Sequence, residues 1–256
     1  MKPISYQLYS SRNYSPLADT FSMLSKLGYS QVEGFGGLFA EGVDIGKLKA
    51  DLDANNLHMA TCHFSLEAVR DQPDTVISHA NSLNTEVVFV PAVSPDQRTK
   101  TAAGWEALGK TLAEIGKPLQ DAGLKFGWHN HAFEFAAIDS ELLPLDLILA
   151  GDDSLLLEFD VAWCVVGKQN PLTWIEQYSD RLISAHIKDL APEGECLDED
   201  GWADVGQGTM DWPALLKALD TTAVQYRIME HDNPNDHHRF ASRSIETLNS
   251  LLVNQL

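Results

Sequence analysis

The sequence is poor in cysteine and has no long apolar run. Its three cysteines, Cys62, Cys164 and Cys196, are far apart and form no CxxC pair, so neither a disulfide framework nor a thiolate zinc site is indicated. The first residues, MKPISYQLYSSR, lack the apolar core of a signal peptide, and nowhere do about 18 apolar residues follow one another. These absences predict an unprocessed cytoplasmic protein in a reducing compartment, with no membrane partner.

Basic residues are also scarce. The chain has 18 Lys and Arg against 37 Asp and Glu, which gives a formal net charge of -19. A surface that follows phosphates needs the opposite sign, so we do not expect nucleic acid as a partner. The nucleotide-binding motifs GxGxxG and GxxxxGKS/T are missing after the first predicted strand, which argues against a nucleotide-binding open sheet.

What the sequence does contain is an alternation of short β-branched or aromatic runs with segments of helical period. A length of 256 residues suits one (β/α)8 barrel, which usually takes ~250 residues. We therefore predict one domain over residues 1–256. The predicted strands are Ile4–Tyr9, Gln31–Phe35, Leu57–Phe64, Glu86–Val93, Lys125–His131, Leu155–Asp160, Ile183–Lys188 and Val224–Glu230.

Helices are predicted between these strands from their caps and apolar stripes. Ser15, Asn170 and Asp211 are expected to cap helices that carry proline in their first turn. The clearest stripe runs from Trp105 to Leu119 in steps of three and four residues. Eight βα units favour the α/β class with a closed (β/α)8 TIM barrel, although an open doubly wound sheet alternates in a similar way.

Polar residues follow several of the predicted strands at the point where each strand ends. The stretch GWHNHAFEF, Gly127–Phe135, leaves an apolar strand and reaches Glu134, which we place just past the strand end. Three later strands end in Asp160, His186 and Glu230. Because barrel active sites lie at the carboxyl ends of the strands, these four side chains are expected to converge.

The four residues form a plausible ligand set for one divalent ion. Three carboxylates and one imidazole suit Mn2+ or Mg2+ better than the thiolate-rich sets of structural zinc sites. The separation from Glu134 to Asp160 equals that from Asp160 to His186, as expected for neighbouring βα units. Any one of them alone would more often be a helix cap or a salt-bridge partner.

One long irregular segment, Leu190–Met210, is acidic and follows the seventh predicted strand. On the active-site face it is expected to act either as a lid or as an ordinary solvated loop. Gly206 and Gly208 within it are more typical of a turn before the Asp211 cap than of an anion-binding cradle.

The residues resemble the sugar phosphate isomerase/epimerase family of the xylose isomerase-like TIM barrel superfamily. The resemblance spans the chain, through VEGF and CHFS in the first half and HNHAFE, EFD, HIKD, VGQGTMDW and ME in the second. It implies that one divalent metal, commonly manganese, with Mg2+, Co2+ or Zn2+ as alternatives, is bound by Glu134, Asp160, His186 and Glu230. It also implies that Glu134 and Glu230 are the catalytic acid and base.

A keto sugar that chelates such an ion would lose a proton next to its carbonyl and form an enediolate. The resemblance therefore predicts a metal-dependent isomerase or epimerase of a keto sugar or related polyol ketone, acting in carbohydrate metabolism. A lyase that dehydrates the same ketone, or eliminates from a keto-glycoside, is the alternative. A non-catalytic sugar-binding barrel is a third hypothesis. The expected partner is a small sugar, and homo-oligomerisation stays open.

Five further residues are predicted to bind substrate: Glu33, His63, His131, Trp163 and Lys188. In the best-understood ketose epimerases of the family, a histidine and an arginine stand where this sequence has Trp163 and Pro192, so substrate recognition is expected to differ. Trp163 either stacks on a sugar ring or packs against a helix. Lys188 either stabilises an enediolate or forms a salt bridge with Glu158. His131 is either a second acid/base or a residue that orients Glu134.

Overall fold

Eight parallel strands form a closed barrel in the computed structural model, which describes residues 3–253. The order around the barrel is β1, β8, β7, β6, β5, β4, β3, β2. This confirms the predicted TIM barrel and excludes the open sheet. The strands are β1 Ile4–Gln7, β2 Gln31–Gly34, β3 His58–His63, β4 Val87–Val90, β5 Lys125–His129, β6 Leu156–Asp160, β7 Leu182–Ile187 and β8 Tyr226–Met229.

Helices surround the barrel. They are α1 Leu17–Leu27, α2 Ile45–Ala54, α3 Leu66–Asp71, α4 Pro73–Leu83, α5 Ala102–Asp121, α6 Pro144–Leu149, α7 Val161–Val166, α8 Pro171–Gln177, α9 Trp212–Leu219 and α10 His237–Val253. Short 3-10 helices cover Leu8–Ser11, Gly36–Phe39, Pro95–Gln97, Ala132–Phe135 and Leu197–Glu199. Among the described residues, no helix is both long enough and apolar enough to span a membrane.

Two of the three predicted caps are confirmed. The Asn170 side chain accepts a hydrogen bond from the backbone N–H of Leu172, and Asp211 accepts one from Ala214. The Ser15 cap is wrong, because Pro16 occupies the N-cap of α1 in an extended conformation. Ser15 is therefore one residue too far from the first helical turn to cap it.

The apolar core has two layers, and the strands alternate between them. The inner layer fills the barrel with Ala60, Val87, Phe89, Ile183, Tyr226 and Ile228. The outer layer, between sheet and helices, includes Phe126 and Trp128 of β5. Because side chains alternate along a strand, His129 at the end of β5 turns inward, where the polar groups gather above the inner layer.

Segment 190–210, called the strap below, is held by a short antiparallel ribbon. Asp189–Leu190 pairs with Trp202–Ala203 across it. The Arg239 guanidinium on α10 then contacts Glu199 at 2.6 Å and Asp204 at 3.0 Å. The strap is therefore packed against the carboxyl-terminal helix rather than solvated along its length.

Candidate active site

Four side chains converge at the carboxyl ends of β5 to β8. They are His129, Asp160, His186 and Glu230, each of which offers one donor atom within 4.8 Å of the others. All four are buried. The structure therefore brings together three of the four predicted ligands, and the fourth member of the group is His129 rather than Glu134.

Glu134 lies elsewhere, and its predicted place among the ligands needs correction. Strand β5 ends at His129, and the chain then enters the 3-10 helix that contains Glu134. Its carboxylate accepts hydrogen bonds of 2.9 Å from the indole N–H of Trp128 and of 2.9 Å from the backbone N–H of His131. Trp128 belongs to the outer layer, so Glu134 is held on the helix side of the sheet. Burial raises the pKa of its carboxyl well above the usual value.

The converging group fits a divalent ion. Nδ1 of His186 lies 2.7 Å from Oε2 of Glu230 and 3.8 Å from Oδ2 of Asp160. Ligand atoms around one ion have similar separations when each bond is ~2.0–2.2 Å long. Oδ2 of Asp160 is buried and has no hydrogen-bond partner among the described residues. A buried carboxylate oxygen that accepts no hydrogen bond is costly. The Lys188 ammonium stays 3.7 Å from this oxygen, and a bound cation would contact it directly.

A second, deeper group shares two histidines with the first. It consists of His63, His129, Glu158 and His186. Glu158 accepts from Nε2 of His63 at 2.5 Å and from the hydroxyl of Ser184 at 2.7 Å. Burial opposes the charge on His63, but the carboxylates of Glu33 and Glu158 raise its pKa to about 10. Glu158 was not predicted as a site residue, although it is two residues before Asp160 and so shares its face of β6.

Lys188 is buried beside the first group. Its ammonium lies 2.7 Å from Asp232 and 3.4 Å from Glu230. It also lies over the rings of Trp163, at 4.8 Å from the centroid, and of Trp202, at 4.1 Å. The predicted alternative of a salt bridge to Glu158 is wrong, since Asp232 is the partner. Burial opposes the charge on Lys188, but these carboxylates raise its pKa above the usual value.

A cavity of about 460 Å³ opens onto the converging group. His63, His131 and Trp163, three of the residues predicted to bind substrate, line it. Glu230 and Asp232 line it as well, together with residues that include Tyr9, Arg12, Phe35 and Asp200. Trp163 packs edge-to-face on Trp202 of the strap, with ring centroids 4.7 Å apart.

The two remaining predicted substrate residues are placed differently. Glu33 is fully buried behind His186, and Lys188 is fully buried under the two tryptophans. Asp232 and His129 are not among the site residues predicted from the sequence. Spacing could have indicated Asp232, because it follows Glu230 by two residues, whereas the choice of His129 over Glu134 depends on where β5 ends.

The glycine-rich run before α9 surrounds a carboxylate of the chain itself. Asp189 is buried and accepts from the N–H groups of Gly206 at 2.8 Å and Met210 at 3.1 Å, and from the indole of Trp212 at 2.9 Å. A Cβ on Gly208 would lie 2.3 Å from Asp189 Oδ1, so this approach requires glycine. The backbone thus does cradle an anion, and that anion is Asp189.

Comparisons with known proteins agree with this architecture. A model of the xylose isomerase-like TIM barrel family matches residues 21–251. The inosose dehydratase of Clostridium beijerinckii is 22% identical over 210 residues, which are 69% of this chain and 70% of that protein.

Two solved structures extend the comparison. A sugar phosphate isomerase/epimerase from Parabacteroides distasonis superposes with a TM-score of 0.81 at 19% identity, over 97% of this chain and 94% of that one. The IolI protein with a bound zinc atom gives 0.74 at 16% identity, over 99% and 97%.

Proposed function

We propose, from the premise that the chain belongs to the xylose isomerase-like TIM barrel family, that it is a metal-dependent carbon–oxygen lyase. Its substrate would be a neutral keto sugar, polyol ketone or keto-glycoside. The reaction removes a proton next to the ketone and expels the oxygen substituent on the next carbon as water or an alcohol. A lyase is the alternative that the sequence predicts beside an isomerase or epimerase.

His129, Asp160, His186 and Glu230 would hold the ion. Two imidazoles and two carboxylates suit Mn2+, Co2+ or Zn2+ better than Mg2+, which prefers oxygen ligands. When bound, the ion would polarise the ketone oxygen and so acidify the neighbouring carbon. The zinc atom in the IolI structure supports a metal on this fold without deciding which metal this chain takes.

Proton transfer needs groups that are not occupied as ligands. Asp232 lines the cavity, and its carboxylate is oriented by the Lys188 ammonium at 2.7 Å. His131 lines the cavity from the segment after β5, three strands away around the barrel. We assign Asp232 as the base, which takes the proton from carbon and returns it to the departing oxygen. Burial lowers the pKa of His131 well below its usual value, so His131 is assigned to donate a hydrogen bond to that oxygen as a neutral imidazole.

The observation that carries this proposal is the position of Glu134. Epimerisation by two glutamates requires one on each side of the substrate, and Glu134 is hydrogen-bonded to Trp128 in the outer layer. The remaining pair, the Asp232 carboxylate and a neutral imidazole, suits elimination, because one carboxylate can take the proton and return it to the departing oxygen. The similarity to an inosose dehydratase supports the same reaction class.

The test is incubation with Mn2+, Co2+ or Zn2+ in D2O against a panel of ketohexoses, ketopentoses, inosose and 3-keto-glycosides. We expect at least one member to lose water or an alcohol. Asp232→Asn should slow this loss by about 10²–10⁴-fold, the usual contribution of a placed base. Asp198→Asn, on the exposed part of the strap, is the matched control and should react as fast as the parent.

Product identity separates the hypotheses. A product whose mass is unchanged apart from deuterium would make the protein an isomerase or epimerase and overturn the lyase proposal. If no member of the panel exchanges or reacts while the protein binds metal and sugar, the non-catalytic binding barrel is the better interpretation.

A further inference from the structure

A chain of hydrogen bonds joins the tips of four adjacent strands. Nε2 of Gln7 on β1 donates to Oε1 of Glu33 on β2 at 2.7 Å. Nε2 of His186 on β7 lies 2.7 Å from the same oxygen. Nδ1 of His186 lies 2.7 Å from Glu230, which follows β8. One ring nitrogen of His186 thus faces Glu33, and the other faces the converging group.

Glu33 is badly placed to touch a substrate. It is fully buried, and its Oε1 is surrounded by Gln7, by His186 and by Nε2 of His63 at 3.2 Å. These contacts lie on the side of His186 away from Glu230. The Glu33 carboxylate therefore contacts the converging group through the His186 imidazole.

We propose that Glu33 is a positioning residue that holds His186 with Nε2–H donated to its carboxylate and Nδ1 turned toward the ion. A histidine ligand usually donates its other ring N–H to a carboxylate or carbonyl, which fixes both the tautomer and the ring orientation. The inference rests on the proposed metal site. It replaces the predicted role of Glu33 in substrate binding.

Gln7 fixes the orientation of Glu33. Its Oε1 accepts the backbone N–H of Tyr9 at 3.0 Å, so the other end of the amide, Nε2, must point at Glu33. Gln7 and Tyr9 both line the cavity. Gln7, at the end of β1, thereby positions the Glu33 carboxylate. Glu33 in turn positions His186, which is one of the proposed metal ligands.

The deeper group of His63, His129, Glu158 and His186 offers a rival explanation, in which it binds a second ion. The hydrogen bonds favour positioning instead. Glu158 already accepts from His63 at 2.5 Å and Ser184 at 2.7 Å. His186 has its Nε2 at 2.7 Å from Glu33, which is closer than its 3.3 Å from Glu158. The count of ions per chain decides between the two explanations.

The experiment compares the parent with Glu33→Ala, Glu33→Gln and Gln7→Leu, using Mn2+, Co2+ and Zn2+ alone as probes. Ions per chain are counted by elemental analysis, and Kd is measured by competition with a chelator. Glu134→Gln is the matched control, because it neutralises another buried carboxylate that does not contact His186. Thermal unfolding is followed with and without metal.

We expect one ion per chain in every protein. Glu33→Ala should weaken Kd by about 10–100-fold, the usual effect of losing such a partner. Glu33→Gln should lose less, since its amide oxygen can still accept from Nε2–H. Gln7→Leu should weaken Kd in the same direction, and Glu134→Gln should leave Kd unchanged. For each protein, the rise in Tm is measured relative to the same protein without metal. This rise should be smaller in the Glu33 variants than in the parent.

Three outcomes would overturn the inference. If the Glu33 variants bind metal as tightly as the parent, Glu33 does not position His186, while the proposed function stands. If the parent binds two ions and His63→Ala binds one, the deeper group is itself a metal site. If the parent binds no ion at all, the proposed function fails together with the inference.

Discussion

The indole N–H of Trp128 donates a hydrogen bond of 2.9 Å to Oε1 of Glu134. This hydrogen bond holds the Glu134 carboxylate on the helix side of the sheet, whereas the His129 side chain faces the barrel interior. The two residues nevertheless lie within one short stretch of sequence. Because Trp128 faces the outer layer, the carboxylate bonded to it contributes to packing rather than to the converging group. The residue that the motif marks most clearly is thus assigned a structural role.

We predict that Glu134→Gln destabilises the fold and leaves metal binding intact. Glutamine can keep one of the two hydrogen bonds but not both in the same geometry, so the free energy of unfolding should fall by about 1–3 kcal/mol. Chemical denaturation and metal titration of the same protein would check this. Loss of metal binding in a folded Glu134→Gln protein would restore Glu134 as a ligand.

The opposite result is expected for the converging group. His129→Ala or Asp160→Ala should abolish binding of Mn2+, Co2+ and Zn2+ and with it the rise in Tm that the metal gives the parent. His237→Ala is the control, because His237 stacks on Tyr14 and contacts Ser11 outside this group. Retention of full metal affinity by His129→Ala would remove His129 from the ligand set.

The fold could be predicted from the sequence because its signals are local. Each predicted strand is present, and its ends move by three residues or fewer at the observed bounds. The family resemblance carried by the later motifs is confirmed by the match over residues 21–251. Asp160, His186 and Glu230 were predicted together because they end, or directly follow, parallel strands, whose carboxyl ends share one edge of the barrel.

The fourth ligand could not be predicted in the same way. Whether His129 or Glu134 faces inward depends on where β5 stops, and the predicted strand continued to His131. Strict alternation along an extended strand puts residues 129 and 134 on opposite faces. Glu134 would reach the interior only if the chain turned it inward after β5, and the 3-10 helix Ala132–Phe135 does not do so. Contacts between distant residues, such as Glu33 with His186, carry no local signal at all.

Metal affinity should rise with pH. Burial opposes the charge on His186, but Glu230, Glu158 and Glu33 raise its pKa well above the usual value in the metal-free protein. Burial also raises the pKa of Asp160 to about 7, although Lys188 opposes this. Both groups carry protons near neutral pH, and the ion must displace them. Chelator-buffered titrations between about pH 6 and 8 should show tighter binding at higher pH. A flat or falling profile would contradict the assigned ligands.

Asp189 should be required for the turn that begins α9. Asp189→Asn replaces a carboxylate that accepts several N–H groups with an amide that offers a single acceptor oxygen. We expect the free energy of unfolding to fall by roughly 1.5–3 kcal/mol, the usual range for hydrogen bonds to a charged group. The exposed substitution Asp74→Asn should change it little. Equal stability of the two variants would show that the cradle around Asp189 contributes nothing.

The strap should behave as a tethered segment whose release exposes the cavity. Arg239 bonds to both Glu199 and Asp204, whereas Arg243 is more exposed and forms an ion pair with Asp204 at 3.2 Å. Arg239→Ala should therefore speed cleavage within residues 190–210 by a protease several-fold, and Arg243→Ala should have a smaller effect. A sugar that occupies the cavity should slow cleavage, because Asp200 of the strap lines it. Equal cleavage of Arg239→Ala and the parent would show that the strap does not depend on this tether. Equal cleavage with and without sugar would show that the strap does not close over the site.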